Sequence, residues 1–245
     1  MRKVKSSRQD TSRKDASPGH EGLAPLVLVT ASSGYIGRNL VAPLEAAGYR
    51  VRAAARSPKK LVGIVSPSME VVTADAFDVA AVTASLDGVH TAFYLIHTLG
   101  EGADYAKRDR EAAEIFAHAA AEAGVHRIVF FGGLGVAEEN LSEHLASRHE
   151  VGRVLASTGV EVVEFRASIV IGSGSTSFEM IRNLVEKLPA MTTPRWVRMP
   201  CQPIAIHDVV TYLVAAVSLA EDPDLGHRIY EVGGSDVVTL SLIHI

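Results

Sequence analysis

Residues 26–37 read Leu-Val-Leu-Val-Thr-Ala-Ser-Ser-Gly-Tyr-Ile-Gly, and this junction limits the architecture more than any other stretch. An unbroken apolar run enters a turn of small residues, and Gly34 and Gly37 follow at the spacing of a helix start. A strand that is apolar on both faces belongs inside a parallel sheet. The helix after it offers unserved N–H groups at its positive end, which suits an anion. Gly34 lets the backbone approach the pyrophosphate of a dinucleotide, and Gly37 lets the helix pack close to the strand. Where the first glycine of that fingerprint belongs, the chain has Ala31. Its methyl group is accommodated if the turn keeps φ negative there and strained if φ is positive. Such a turn also occurs as a purely structural feature.

Strand and helix signals alternate beyond the junction. Strands are expected at residues 26–30, 50–55, 69–73, 90–96 and 127–131, and a buried central strand within 160–165 and 168–171. Helices are expected at 35–47, 79–86, 103–123 and from about 140 to 157. Asp78 is placed to cap the second helix, and Asn140 with Glu143 has capping-box spacing for the fourth. Ala112, Phe116, Ala119 and Ala123 share one face of the third helix, and Gly124 stops it. This order implies an α/β fold, a doubly wound parallel sheet of Rossmann type. From about residue 173 the pattern changes to a small C-terminal substrate lobe. Helices are expected there at 178–188 and 206–217 and a short strand at 228–232, with a proline-rich segment at 192–203.

Composition narrows the class. The 245 residues are 47% hydrophobic, enough for one large core without staples. The single cysteine, Cys201, excludes an internal disulfide and agrees with a reducing, cytoplasmic setting. No apolar run approaches the ~18 residues of a membrane span. The net charge of −4 is uneven: residues 1–24 form a polar basic tail of about +3, expected to be disordered. The folded remainder, residues 25–240, carries about −7, which does not suit nucleic acid. The histidines lack metal-ligand spacing, so no metal is expected. No Gly-x-Ser-x-Gly elbow is present, which argues against a hydrolase.

The segment Thr30-Ala-Ser-Ser-Gly34-Tyr-Ile-Gly37 resembles the TGxxGxxG motif of short-chain dehydrogenase/reductases. Ala53-Ala-Ala-Arg56-Ser-Pro, Phe93-Tyr-Leu-Ile-His-Thr-Leu-Gly100, Val129-Phe-Phe-Gly-Gly-Leu-Gly135, Phe165-Arg-Ala-Ser-Ile-Val-Ile-Gly172 and Pro194-Arg-Trp-Val-Arg make the chain similar to the atypical, NmrA-like and YbjT-like branch. The resemblance implies a dinucleotide cradle made of Thr30, Ala31, Ser32, Ser33, Gly34, Tyr35, Ile36 and Gly37. It also implies that Asp75 and Ala76 meet the adenine, that Leu95, Ile96 and His97 lie along the cofactor, and that Arg166, Ala167 and Ser168 pass the nicotinamide. The family's Tyr-x-x-x-Lys pair is replaced by His144 and Arg148, four residues apart on one helix face, and Gly132 and Gly133 stand where a serine usually precedes it. Arginine does not reproduce the point charge of that lysine, whereas His144 is a candidate acid near neutral pH. His97 and Tyr94 are the next candidates. Relatives continue beyond Thr239, so residues 241–245 read as a non-native end.

The end of the second strand selects the cofactor. An acidic residue there holds the ribose 2′-hydroxyl of NAD, and an arginine holds the 2′-phosphate of NADP. The strand ends Ala54-Ala55-Arg56, with Lys59 and Lys60 close behind, so NADP(H) is expected over NAD(H). Tyr94, Leu99, Met180, Trp196 and Met199 are candidates for an apolar pocket that takes a small hydrophobic carbonyl or alkene. Two roles fit the sequence: a hydride-transferring oxidoreductase, and a non-catalytic dinucleotide sensor. The oligomeric state is not set by the sequence.

Overall fold

A computed structural model of the chain describes residues 23–98, 104–135, 142–175, 178–179, 182–183, 200–220 and 226–239. Seven strands form one parallel sheet: β1 (Leu26–Val29), β2 (Arg50–Ala55), β3 (Glu70–Thr73), β4 (Thr91–Tyr94), β5 (Arg127–Gly133), β6 (Glu161–Ala167) and β10 (His227–Glu231). Their order is β10-β6-β5-β4-β1-β2-β3. The order reverses between β1 and β4, and such a switch point opens a crevice at the C-terminal ends of the strands. Two short pairs stand apart: β7 (Val170–Ile171) runs parallel to β9 (Ile204–Ala205), and β8 (Pro200–Cys201) runs antiparallel to β11 (Val238–Thr239).

Among the described residues, five helices cover the sheet: α1 (Tyr35–Ala46), α2 (Val79–Leu86), α3 (Tyr105–Glu122), α4 (Glu143–Leu155) and α5 (Ile206–Val217). Alternate side chains of each strand enter two separate cores. Val27, Val29, Phe93, Val129 and Val163 meet Leu40 and Leu44 of α1 and Leu213 of α5. Leu26, Leu28, Tyr94, Ile128 and Phe130 meet Leu86 of α2, Phe116 of α3 and Leu155 of α4. Both faces of the strands are therefore apolar, as a doubly wound sheet requires.

Four sequence expectations shift. The strand and helix expected in the C-terminal lobe belong to the main sheet, with His227–Glu231 as its edge strand β10 and α5 packed into its core through Leu213. The apolar stretch after residue 160 is not one central strand. Its first part, β6, lies next to the sheet's edge, and the register with β5 ends at Gly133 and Ala167. The chain then leaves the sheet, and β7 pairs with β9 instead. The cap of α4 is Ser142, whose hydroxyl accepts from Leu145 N–H at 3.3 Å; Asn140 lies outside the described residues. Tyr94 is core rather than pocket lining, 1% exposed between Phe116 and Phe130. Leu99, Trp196, Met199, the side chain of Met180, the tail to residue 22 and residues 241–245 also lie outside the described set.

Charge is built into β6. Glu164 is fully buried and accepts from Arg166 Nε at 2.6 Å and from His227 Nε2 at 2.8 Å. Gly132 and Gly152 leave room for its carboxylate, because a Cβ at either would run into it. Burial pushes the Glu164 carboxyl up, but the bonds from His227 and Arg166 outweigh it and hold it below the usual range. Its contribution is therefore present above the unfolded carboxyl's range and is lost as the pH falls through the lower folded value. Glu164→Ala leaves Arg166 buried without its carboxylate and is expected to cost about 3–5 kcal/mol in urea denaturation. Glu164→Gln should lose this part of the acid slope; an unchanged slope contradicts the assignment.

Candidate functional site

The turn after β1 is pinned on both sides. Thr30 N–H bonds to Phe93 O at 3.0 Å and Ser32 N–H to Ala54 O at 2.9 Å. The Thr30 hydroxyl donates to Phe93 O and accepts from Leu95 N–H, both at 2.9 Å. Ser32 turns its buried hydroxyl inward to Val29 O at 2.7 Å. Ala31 has φ 47°, the only positive φ outside glycine among the described residues. The negative-φ alternative for Ala31 is thus overturned: with Gly34 N–H closing the turn on Ala31 O at 2.8 Å, the backbone is left-handed there. For a residue with a Cβ this costs about 1 kcal/mol.

Gly37 explains why the turn is so tight. A Cβ on it would stand 2.5 Å from Ala31 O and 2.7 Å from Ser32 Cα. The first bond of α1 runs from Arg38 N–H to Gly34 O at 3.0 Å, so the N–H groups of Tyr35, Ile36 and Gly37 have no helical carbonyl to serve. No acidic residue occupies the first turn of α1 to offset its positive end. Ala31→Gly is expected to gain up to about 1 kcal/mol of stability, and Gly37→Ala to lose about 1–3 kcal/mol by overpacking. Chemical denaturation measures both, and a loss in Ala31→Gly contradicts the left-handed turn.

A cavity of about 240 Å³ opens beside this turn. Thr30, Ala31, Ser33 and Gly34 line it from β1 and the turn, Arg56, Ser57 and Lys60 from beyond β2, and Asp75, Ala76 and Phe77 from beyond β3. Ile96, His97 and Thr98 close it from beyond β4, and Arg108 and Phe116 from α3. The Asp75 carboxylate accepts from Phe77 N–H at 3.0 Å, and Arg108 lies 4.7 Å over the Phe77 ring. The short 3₁₀ turn Pro58–Leu61 buries Leu61 and brings Lys60 to the same cavity that Arg56 lines.

Of the residues expected to meet a cofactor, the cavity gathers Thr30, Ala31, Ser33, Gly34, Arg56, Asp75, Ala76, Ile96 and His97. Tyr35, Ile36 and Gly37 form the adjoining helix start. Ser32 and Leu95 support the turn from behind. Arg166 is held by Glu164, Ala167 ends β6, and Ser168 is exposed; none of the three lines the cavity.

A polar cluster stands where the cavity meets α3 and α4. His97 Nδ1 lies 3.3 Å from Asp109 Oδ2, and Asp109 Oδ1 accepts from Thr98 N–H at 2.9 Å and Thr98 Oγ1 at 2.8 Å. The His144 ring lies 5.1 Å from that of His97, tilted 41°. Burial pushes the His144 imidazole down, and His97 and the Arg148 cation push the same way, against a weaker upward pull from Asp109. Together they favour the neutral form of the acid the sequence preferred. Arg148 is buried over the Phe130 ring and donates to Phe131 O at 2.7 Å and Ile96 O at 3.3 Å, which ties the ends of β4 and β5 together.

Asp109, Thr98, Arg108 and Phe77 were not among the sequence candidates. Asp109 hides in the charge run Lys107-Arg108-Asp109-Arg110-Glu111, which reads as a solvated face. Helical period betrays it, since positions 109, 112, 113 and 116 fall on one face, and all four are buried.

The NAD(P)H-binding family profile matches residues 32–186. The chain belongs to this NAD(P)H-binding family. Among curated proteins it is 30% identical over 138 residues to cinnamoyl-CoA reductase 1 of Oryza sativa subsp. japonica, a match covering 53% of this chain and 40% of the relative. It is 34% identical over 115 residues to 3 beta-hydroxysteroid dehydrogenase/Delta 5-->4-isomerase of Mycobacterium tuberculosis, covering 42% of this chain and 30% of the relative. The matches thus span less than half the length of these relatives. Among solved structures, UDP-glucose 4-epimerase of Thermotoga maritima superposes with a TM-score of 0.71 at 15% identity, over 89% of this chain and 80% of that one. DesIV, the dTDP-glucose 4,6-dehydratase of Streptomyces venezuelae, gives 0.71 at 17% identity, over 89% and 79%. At such identity these structures establish the α/β Rossmann-like fold. Among the described residues no helix is long and apolar enough to cross a membrane.

Proposed function

We propose that the protein binds NADP(H) in preference to NAD(H) and passes a hydride between it and a small hydrophobic carbonyl or alkene. The carrying observation is the pairing of Arg56 and Lys60 on the cavity wall beyond β2. That strand, Arg50–Ala55, supplies no carboxylate for a ribose 2′-hydroxyl. Arg56 provides a planar fork for a phosphate, and Lys60 a second cation. The pyrophosphate fits the unserved N–H groups at the start of α1, and Asp75 stands on the adenine side. The named relatives, a reductase and a dehydrogenase, support the reaction class.

A second reading, a non-catalytic dinucleotide sensor, is favoured by His144 and Arg148 in place of the family's Tyr and Lys, because Arg148 is committed to two backbone carbonyls. Multiple-turnover NADPH oxidation with a panel of ketones and aldehydes separates the readings.

Arg56→Ala is expected to remove a charge-assisted contact worth about 1.5–3 kcal/mol. NADPH affinity should fall roughly ten- to a hundredfold while NADH affinity barely changes. Calorimetric titration of both cofactors decides it, and equal affinities in the unmodified protein would sink the NADP(H) assignment.

A further inference from the structure

We infer that Asp109, Thr98 and His97 form an oriented proton-transfer unit at the cavity, in which His97 is the catalytic acid for a carbonyl oxygen and Asp109 its positioning residue. This rests on the NADP(H)-dependent reading above and supplies the acid that the missing tyrosine leaves unassigned.

Asp109 is 2% exposed on the inner face of α3. A carboxylate so buried needs donors. Burial pushes its carboxyl up, and the bonds from His97 and Thr98 outweigh that and hold it below the usual range. An ionised carboxylate only accepts. With both Thr98 donors on Oδ1, Oδ2 receives the proton on His97 Nδ1. The neutral ring is thereby fixed as the Nδ1–H tautomer, and Nε2 is the nitrogen left for chemistry. His97 itself is partly exposed and lines the cavity together with Thr30 and Gly34.

The surrounding charges separate the two imidazoles. His97 has the Asp109 carboxylate behind it. His144, on α4, has the Arg148 cation on its own helix, and its Nδ1 is buried with no partner among the described residues. Tyr94, on β4, is held as the neutral phenol by burial. Arg108 and Arg56 share the cavity wall. The acid therefore belongs at position 97 rather than 144.

Bound NADPH supplies a hydride to the carbonyl carbon, and the displaced C=O electron pair collects on oxygen. To act as the acid, His97 takes up a proton at Nε2 and gives it to that oxygen, and the N–H bonding pair stays on the ring. Asp109 remains ionised throughout, as the carboxylate of an Asp–His pair does. Solvent restores the ring proton, so one carbonyl is reduced to an alcohol for each cofactor oxidised.

Asp109→Asn tests the unit directly. Thr98 still donates to the amide oxygen, so the amide NH₂ takes the place of Oδ2 and faces Nδ1. The ring must then accept at Nδ1 and carry its proton on Nε2, the wrong-tautomer situation of a triad aspartate changed to asparagine. Long-range ¹H–¹⁵N spectra of the labelled protein are expected to show His97 as Nδ1–H in the unmodified chain and as Nε2–H in Asp109→Asn. The same tautomer in both, or Nε2–H in the unmodified chain, overturns the pairing. With saturating NADPH and trans-cinnamaldehyde or phenanthrenequinone, Asp109→Asn and His97→Gln should lower kcat about 10²-fold or more. His144→Gln should lower kcat less than His97→Gln, and the reverse order overturns the choice of acid. NADPH binding without turnover of either carbonyl overturns the catalytic role. If NADPH does not bind the unmodified protein, the cofactor reading falls, and the tautomer result judges the Asp109–His97 pairing alone.

Discussion

The backbone of Ala31 and Ser32 lies so close to Gly37 that no Cβ fits between them. That contact sets the distance between α1 and the end of β1, and other features of the ligand edge follow from it. To bring the chain round in so few residues, Ala31 adopts a left-handed conformation that glycine would take without strain. The main-chain bonds from Thr30 and Ser32 to the strands on either side hold the strained turn in place. The N–H groups of Tyr35, Ile36 and Gly37 are consequently presented at the crevice where the strand order reverses. A looser turn would move the helix start away from the cavity that Arg56 and Asp75 close from the other side.

Buried charges carry the rest of the frame, and each is resolved by neighbouring donors or acceptors. Arg148 spends its guanidinium on Ile96 O and Phe131 O, so the loop that carries His97 is tied to the end of β5. Glu164 binds Arg166 within its own strand and His227 at the start of β10. Arg127 reaches Glu161 at 2.5 Å and Ala216 O at 2.7 Å, which joins β5, β6 and the end of α5. Removing one member of such a group leaves its partner desolvated and unpaired, which costs more than the intact pair adds to stability.

Most of the sheet was legible because local signals and tertiary structure agree. Residues 50–55 and 206–217 carry clean apolar patterns, and β2 and α5 have those limits. What failed to show was long-range. Glu164 and His227 are 63 positions apart, and no local window reveals that a glutamate inside Val-Val-Glu-Phe finds a histidine on another strand. Asp78 was found as a cap because its partner, Ala81 N–H, is three residues away. At α4 the observed cap is Ser142, whose partner Leu145 N–H is likewise three residues away. For the candidate site, the turn and Arg56 were legible from spacing, and Asp75 only through the family resemblance. The cluster on α3 was masked by its charged neighbours, although its helical period was present.

The replacement of a Tyr/Lys pair by His144 and Arg148 looks, in sequence, like the loss of an acid with its activating charge. The structure recasts it. A lysine in that role is a mobile point charge, whereas Arg148 is a planar group held over the Phe130 ring and bonded to two carbonyls. Its charge persists but now falls on the His144 side, where it opposes a second positive charge. His97, 5.1 Å from His144, meets a carboxylate instead. Two chemically identical rings thus have different nearest charges, a carboxylate at His97 and a guanidinium at His144. On the proposed assignment, the acid displaced from α4 lies beyond β4, on the cavity wall that also carries the turn after β1.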